Sequence, residues 1–284
     1  MSLQYNEHTI NKISNLVYKY TGIILGLEKK LLVENRFNRL TNDLNIKLEG
    51  SIEKILQTIE QNNLQSFINV FTTNKTNFFR EIKQFEFLFK DILPEAFAKG
   101  RYVNIYCSAS STGEEPWSIV ATCEAAKKKA NLKYCNYSVL ATDIDTDILK
   151  KASSGKYYCK DFNKQAFPYW ASPLFLFSES SSLCRKPENI DAELNIKSDL
   201  KSKVIFSQQN LMEPELSVPK DGYYEVVFCR NVLIYFTKED QTKIVKKLVN
   251  KIRPKGYLFL GHSESIDAIN FGLERLSNNI FRRL

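Results

Sequence analysis

A short β-branched run, Val103-Asn104-Ile105-Tyr106, leads directly into seven small residues, Cys107 to Gly113, and then into a helical pattern opened by Glu114-Glu115-Pro116. A turn of small side chains lets a ligand lie against the backbone, and the helix behind it aims N–H groups and partial positive charge into that space. About thirty residues on, a second apolar strand, Ser138-Val139-Leu140-Ala141-Thr142, ends in Asp143. Strand, turn, helix, strand and acid are how doubly wound sheets hold a nucleoside, with the acid on the ribose hydroxyls. The same spacing predicts an adenosine-bearing ligand.

The rest of the chain agrees with an α/β fold. Strands are expected near 103–107, 137–142, 203–207, 223–229 and 257–261, with another at 279–284. Helices are expected near 84–98, 114–130, 146–152 and 238–252. Such alternation implies a largely parallel sheet covered on both faces. Residues 157–200 interrupt it and read as a small insertion with a strand or two, around the alternating Leu194-Asn195-Ile196-Lys197. Residues 1–70 are helical in pattern, with helices at 6–20, 27–44 and 51–61. The expected division is a helical domain over 1–72 and an α/β domain over 73–284.

Composition narrows the function classes. The charge of +8 is spread along the chain and accompanies no nucleic-acid module, so a solvated surface or an acidic protein partner fits better than nucleic acid. Six scattered cysteines without a CxxC pair and two histidines argue against zinc and for buried thiols. Without a long apolar run or an apolar leader, the expected location is the cytoplasm.

Four segments carry candidate chemistry. The turn lacks the G-x-G-x-x-G pattern and is followed by two carboxylates, which disfavour a pyrophosphate and hence a nicotinamide dehydrogenase. Acids there suit a cofactor with a positive amino group; S-adenosylmethionine has both that group and adenosine. Glu114 and Glu115 could equally be favoured by the helix dipole alone. Asp143 could cap the following helix, although Asp145 suits that role better. Val227 to Phe236 delivers Arg230 and Asn231 at a strand's carboxyl end, with Tyr235 just beyond. Thr72 to Glu81 reads in part as a helix start capped by Asn74 or Thr76, which leaves Arg80 after Phe78-Phe79 unexplained. On the second helix, Lys29, Arg36 and Arg39 fall on one face beside Val33, Phe37 and Leu40, either a solvated face or a docking surface for an acidic helix.

Together TTNKTNFFRE, SASSTGEEPWS, LATDID, Asn210-Leu211, FCRNVLIYF and GYLFLGHSES resemble, in order, the motifs of the CheR-type chemotaxis receptor methyltransferases. The N-terminal YTGIILGLEKKLLVENRFNRL is similar to that family's helical-domain pattern. The resemblance implies a Rossmann-like class I methyltransferase sheet with an N-terminal all-helical domain and an inserted β-subdomain. It implies methyl transfer from S-adenosylmethionine to glutamate carboxylates of chemoreceptor helices, leaving S-adenosylhomocysteine, with membranes reached only through receptors. By the same resemblance Asn74, Thr76 and Arg80 line the cofactor pocket, and Glu114 and Asp143 hold the amino group and ribose. Asn210-Leu211 and Arg230-Asn231 flank adenosine and methionine, Arg80 and Tyr235 lie nearest the methyl, and Arg36 and Arg39 dock the receptor. Ser110-Ser111 stands where the family often has Gly-Cys, Trp117 where Tyr is usual, and 157–200 match poorly. A methyltransferase-like adaptor that only binds would share the binding residues, but has little reason to keep Arg80 and Tyr235.

Overall fold

The computed structural model describes residues 3–131, 136–158, 167–177 and 193–284. Four helices come first: α1 Glu7–Thr21, α2 Lys30–Asp43, α3 Ile52–Asn62 and α4 Leu64–Phe71. Their apolar stripes, among them Ile13 and Val17, Val33 and Phe37, Ile55 and Ile59, and Phe67 and Phe71, close on one core. Asn6 caps α1 by accepting from Thr9 N, and Gly22 ends it in the left-handed region at φ 73°. A Cβ at Gly22 would also come within 2.6 Å of Met212 Cγ, so conformation and close approach both demand glycine there. The pattern of residues 1–70 gave three helices. The fourth, α4, follows α3 after Asn63 alone, whose side chain makes no capping bond, so no start signal marks it.

The segment expected as one helix over 84–98 is instead α5 Lys83–Phe87, a π turn at Leu88–Ile92, and α6 Leu93–Ala98. Pro94 supplies the reason. It has no N–H to give, and its ring crowds the carbonyl four residues back, so the backbone widens by a residue.

A seven-stranded sheet follows, ordered β5-β2-β1-β6-β7-β9-β8. Its strands are β1 Val103–Ser108, β2 Tyr137–Asp143, β5 Val204–Gln208, β6 Tyr224–Cys229, β7 Ile252–Leu260, β8 Leu273–Ser277 and β9 Ile280–Arg283. The first five are mutually parallel, and β9 runs antiparallel to both β7 and β8. Helices α7 Glu114–Lys129, α8 Thr146–Ser154 and α10 Lys238–Lys251 cover it, with a short α9 at Ser198–Lys201. Buried at every position, β6 is apolar from Val226 to Cys229, with no alternation, as suits a strand between two helical layers; the one charge, Glu225 near its start, pairs with Arg253. The β8–β9 hairpin turns on Asn278 and Asn279, both left-handed (φ 48° and 56°). The sequence reading saw only β9; β8 is exposed at four of its five positions and has no apolar signature.

Within the interruption, β3 Lys156–Tyr158 pairs antiparallel with β4 Glu193–Asn195, and Ile196 bridges Phe177. The remainder of the expected insertion lies outside the described residues. Tyr157 on β3 donates from its hydroxyl to Thr112 O at 2.8 Å, bracing the turn after β1 from behind. No helix among the described residues is long and apolar enough to cross a membrane, and none of their His, Cys, Asp and Glu form a metal-sized cluster.

Candidate functional site

From β1 the chain steps outward to β2 and β5, while β6 lies on the other side of β1. That reversal opens a crevice at the carboxyl ends of the strands, where ligands of open α/β sheets bind. A cleft occupies it, lined by the turn after β1, the linker after α4 and the end of β6.

The turn after β1 forms one wall. Ala109 and Ser111 are both left-handed (φ 58° and 50°), a conformation that costs non-glycine residues about 1 kcal/mol or more and persists only where neighbours fix it. Those neighbours are visible: Ser110 N donates to Thr142 O at 2.8 Å and Ser111 N to Asp143 Oδ2 at 2.8 Å. Asp143 is buried at the end of β2, and its Oδ1 accepts from Asp145 N at 3.1 Å. Burial pushes its carboxyl up to about 6, against the backbone bonds from Asp145 and Ser111 that lower it. Two acceptor positions are thus engaged, and the others remain for ligand hydroxyls. Asp145 is the N-cap of α8, accepting from Asp147 N and Ile148 N.

The linker after α4 forms the second wall. Thr72, Asn74, Lys75, Thr76 and Arg80 all line the cleft. No helix starts at Asn74 or Thr76. Asn74 instead donates to Thr72 Oγ1 and to Asp145 Oδ2 at 3.0 Å, while its carbonyl accepts from Ser111 Oγ. Phe79 and Glu81 then adopt left-handed backbone (φ 51° and 60°), because Phe78 and Phe79 are drawn into the aromatic core beneath, and regular helix resumes only at Lys83. Arg80 stays half-buried and donates from Nη1 to Lys75 O at 2.9 Å.

The end of β6 forms the floor. Arg230 is completely buried, donating to Glu115, to Arg80 O and to Glu81 Oε2, the last at 3.1 Å. Burial works against its charge, and Glu115 and Glu81 outweigh burial, so its pKa rises. Glu81 also accepts from Asn231 Nδ2 and His262 N, each at 3.1 Å. Burial opposes its ionisation too, but Arg230 and Asn231 prevail and hold its carboxyl below the usual range. Behind Asn231, Glu264 accepts from Val232 N, Leu233 N and Gly261 N and so fixes the loop that carries Tyr235. Tyr235 lines the cleft, and its carbonyl accepts from Ile24 N. Asn210 and Leu211 complete the lining beside Ile144 and Phe236, with the Asn210 amide donating to Tyr20 O at 2.8 Å.

Nine of the residues singled out from the sequence therefore share one cavity: Asn74, Thr76, Arg80, Asp143, Asn210, Leu211, Arg230, Asn231 and Tyr235. Glu114 is the exception. It takes the hydroxyl of Thr112, whereas Glu115, one position on along α7 and so about 100° round the helix, lines the cleft. The two docking arginines also part company. Arg36 is half-buried and donates to Phe71 O at 2.7 Å and Thr73 Oγ1 at 3.1 Å, clamping the start of the linker, while Arg39 is three-quarters exposed and pairs with Asp43 at 3.5 Å. Lys29 leaves the shared face because Leu27–Lys29 is a 3-10 turn preceding α2. The sequence reading missed Glu81 and Glu264, although a buried arginine at Arg230 required a counter-ion and Glu81 directly follows Arg80.

Chemically the cleft offers a buried carboxylate at Asp143, a second at Glu115, and apolar wall from Ile144, Leu211 and Phe236. A ligand with a diol, a flat ring and an ammonium group fits that donor set. The family described as "CheR methyltransferase, SAM binding domain" matches residues 74–280. A chemotaxis protein methyltransferase of Klebsiella aerogenes is 33% identical over 270 residues, covering 94% of this chain and 87% of that protein. Its counterpart in Salmonella typhimurium is 35% identical over 267 residues, covering 93% and 85%. That of Escherichia coli is 32% identical over 264 residues, covering 93% and 86%.

Proposed function

This chain belongs to the CheR methyltransferase family, and from that premise we propose that it esterifies glutamate side chains on the cytoplasmic helices of chemoreceptors, working in the cytoplasm. It is an S-adenosylmethionine-dependent methyltransferase of chemotaxis. One observation carries the finer reading: Arg80 and Tyr235, a cation and a phenol, line the same cleft as Asp143 and Glu115.

When bound, the cofactor supplies a methyl group already activated on a sulfonium. Asp143 accepts the ribose hydroxyls and Glu115, in place of Glu114, takes the ammonium group. Leu211 and Ile144 would give the adenine an apolar wall, and Asn210 beside them would offer it a polar group. An incoming glutamate is ionised at neutral pH, its reference pKa being about 4.3, so the chain needs no general base. Arg80 orients that carboxylate through charge-assisted hydrogen bonds, and the Tyr235 hydroxyl directs it. The apolar wall excludes water, which favours a step in which opposite charges neutralise. Residues 1–72 form the receptor-facing unit and 73–284 the transfer unit, with a small β-subdomain inserted at about 157–200.

The test is methyl transfer from labelled cofactor to receptor-containing membranes, with mapping of the modified residue. Arg80→Ala is expected to lose most of the transfer, about a hundredfold, while cofactor affinity changes far less. Transfer at near wild-type rate, or label on a residue other than glutamate, overturns this reading.

A further inference from the structure

The Arg230 cluster is unbalanced in charge. One guanidinium, with none of its side chain exposed, faces two carboxylates, Glu81 and Glu115, so the group carries a net negative charge beside the cleft. The two acids are not equivalent. Glu115 lines the cleft, and among the described residues Arg230 and the Cys107 thiol, at 3.3 Å, are bonded to its carboxylate. Glu81 is absent from the lining and is engaged behind it by Arg230, Asn231 and the backbone N–H of His262, whose half-exposed imidazole Nε2 lies 3.8 Å from it. A buried arginine cannot be left without a counter-ion. If Glu115 were its sole partner, every ligand ammonium would have to compete with Arg230 for the same carboxylate.

We propose that Glu81 is the resident counter-ion of Arg230, a positioning residue that frees Glu115 for the ligand's ammonium group and favours binding of a cationic cofactor relative to its neutral product. The inference rests on the reading of the cleft as the S-adenosylmethionine site. S-adenosylmethionine carries an ammonium, a sulfonium and a carboxylate, and so one net positive charge; S-adenosylhomocysteine has lost the sulfonium charge and is neutral. Removing the Glu81 charge turns the cluster from net negative to neutral. Both ligands then lose part of their hold on Glu115, but only the cation also loses the attraction of the net charge. Glutamine at this position keeps an acceptor for Arg230 and His262 N, so the substitution removes charge with little change in shape.

The experiment measures dissociation constants for both ligands by calorimetry, without receptor, on the wild-type chain, on Glu81→Gln and on Glu81→Asp, with circular dichroism to identify the folded variants. Glu81→Gln is expected to raise the constant for S-adenosylmethionine roughly tenfold and that for S-adenosylhomocysteine about threefold or less. Glu81→Asp keeps the charge one methylene further back and should shift the ratio of the two constants in the same direction by a smaller factor. A merely structural Glu81 would weaken both ligands equally. An unchanged ratio in whichever variant is folded overturns the proposal, whereas a wild-type chain that bound neither ligand would instead sink the reading of the cleft.

Discussion

The floor and the rim of the cleft are built to different standards. On the floor, Arg230, Glu81 and Asn231 bond to one another, and Glu264 binds N–H groups just beyond β6 and β7, through charged hydrogen bonds that leave Arg230 Nε without a partner among the described residues. At the rim, Arg80 and Tyr235 are half-buried, and the Arg80 guanidinium donates to a single carbonyl. The difference teaches that the cofactor's seat is organised before anything binds, while the groups that meet a macromolecular acceptor keep the freedom to find it. Preorganisation is worth most where charge must be held without rearrangement.

Substitution at the floor should break this contrast most severely. Arg230→Met strands two buried carboxylates, and urea denaturation is expected to show a loss of about 3–5 kcal/mol. By contrast, Arg80→Ala at the rim should leave the same curve nearly in place; a comparable loss there would erase the distinction between the two regions. Next in size is Asp143→Ala, expected to cost about 2–3 kcal/mol in S-adenosylmethionine affinity through lost hydrogen bonds to a charged acceptor, measured by calorimetry.

The pH dependence sharpens the same point. Ligand hydroxyls that donate to Asp143 favour its ionised form, so cofactor affinity should hold above pH 6 and decline as pH falls through about 6. The ligand-free chain should respond oppositely. Its native carboxyl, raised above the unfolded value, binds more protons than the unfolded chain between about pH 4 and 6, so this group adds stability as pH falls through that window. Paired calorimetric and melting series on wild type and Asp143→Ala isolate both trends, and wild-type curves that match the variant's would remove Asp143 from either role.

The smallest effects separate the two arginines of α2. Arg36→Ala should lower stability by about 1 kcal/mol, since it deprives the Phe71 carbonyl and the linker of a charged donor. Arg39→Glu should leave the melting temperature unchanged yet slow methylation of receptor membranes severalfold, more at low salt than at high. A melting shift at Arg39 and none at Arg36 would reverse their assignments.

Much of this was legible in the sequence, for identifiable reasons. The parallel strands announced themselves because strands buried on both faces are mostly apolar, as β6 is from Val226 to Cys229. The turn, Asp143 and the Arg230-Asn231 pair were legible because small residues and charges interrupt apolar runs only where something other than packing selects them. Other features left no local trace. Whether Glu114 or Glu115 faces the ligand depends on the rotation of α7, which the bonds from Trp117 to Ala152 O and from Tyr157 to Thr112 O help to set from far along the chain. That Arg36 is an internal clamp depends on where Phe71 and Thr73 pass. The exposed β8 is a strand only because β9 lies beside it.

The hairpin joining those two strands has a consequence for the order of events during synthesis. Asn279 donates its side-chain amide to the carbonyls of Gly261 and Glu264, and the buried Gln84, three residues after Glu81, donates to the carbonyls of Leu260 and Asn278. A contact spanning 194 residues thus ties the segment just beyond Arg80 to the hairpin tip. A nascent chain halted before Asn278 can already pair β1 with β2, yet lacks the Asn278 carbonyl that accepts from Gln84 and the Asn279 amide that ties down the Gly261 and Glu264 carbonyls. The nucleoside cradle can therefore form during translation, but the charged floor, where Glu81 meets Arg230 and the His262 N–H, must wait for loops of 149 and 181 residues to close, a step that is intrinsically slow.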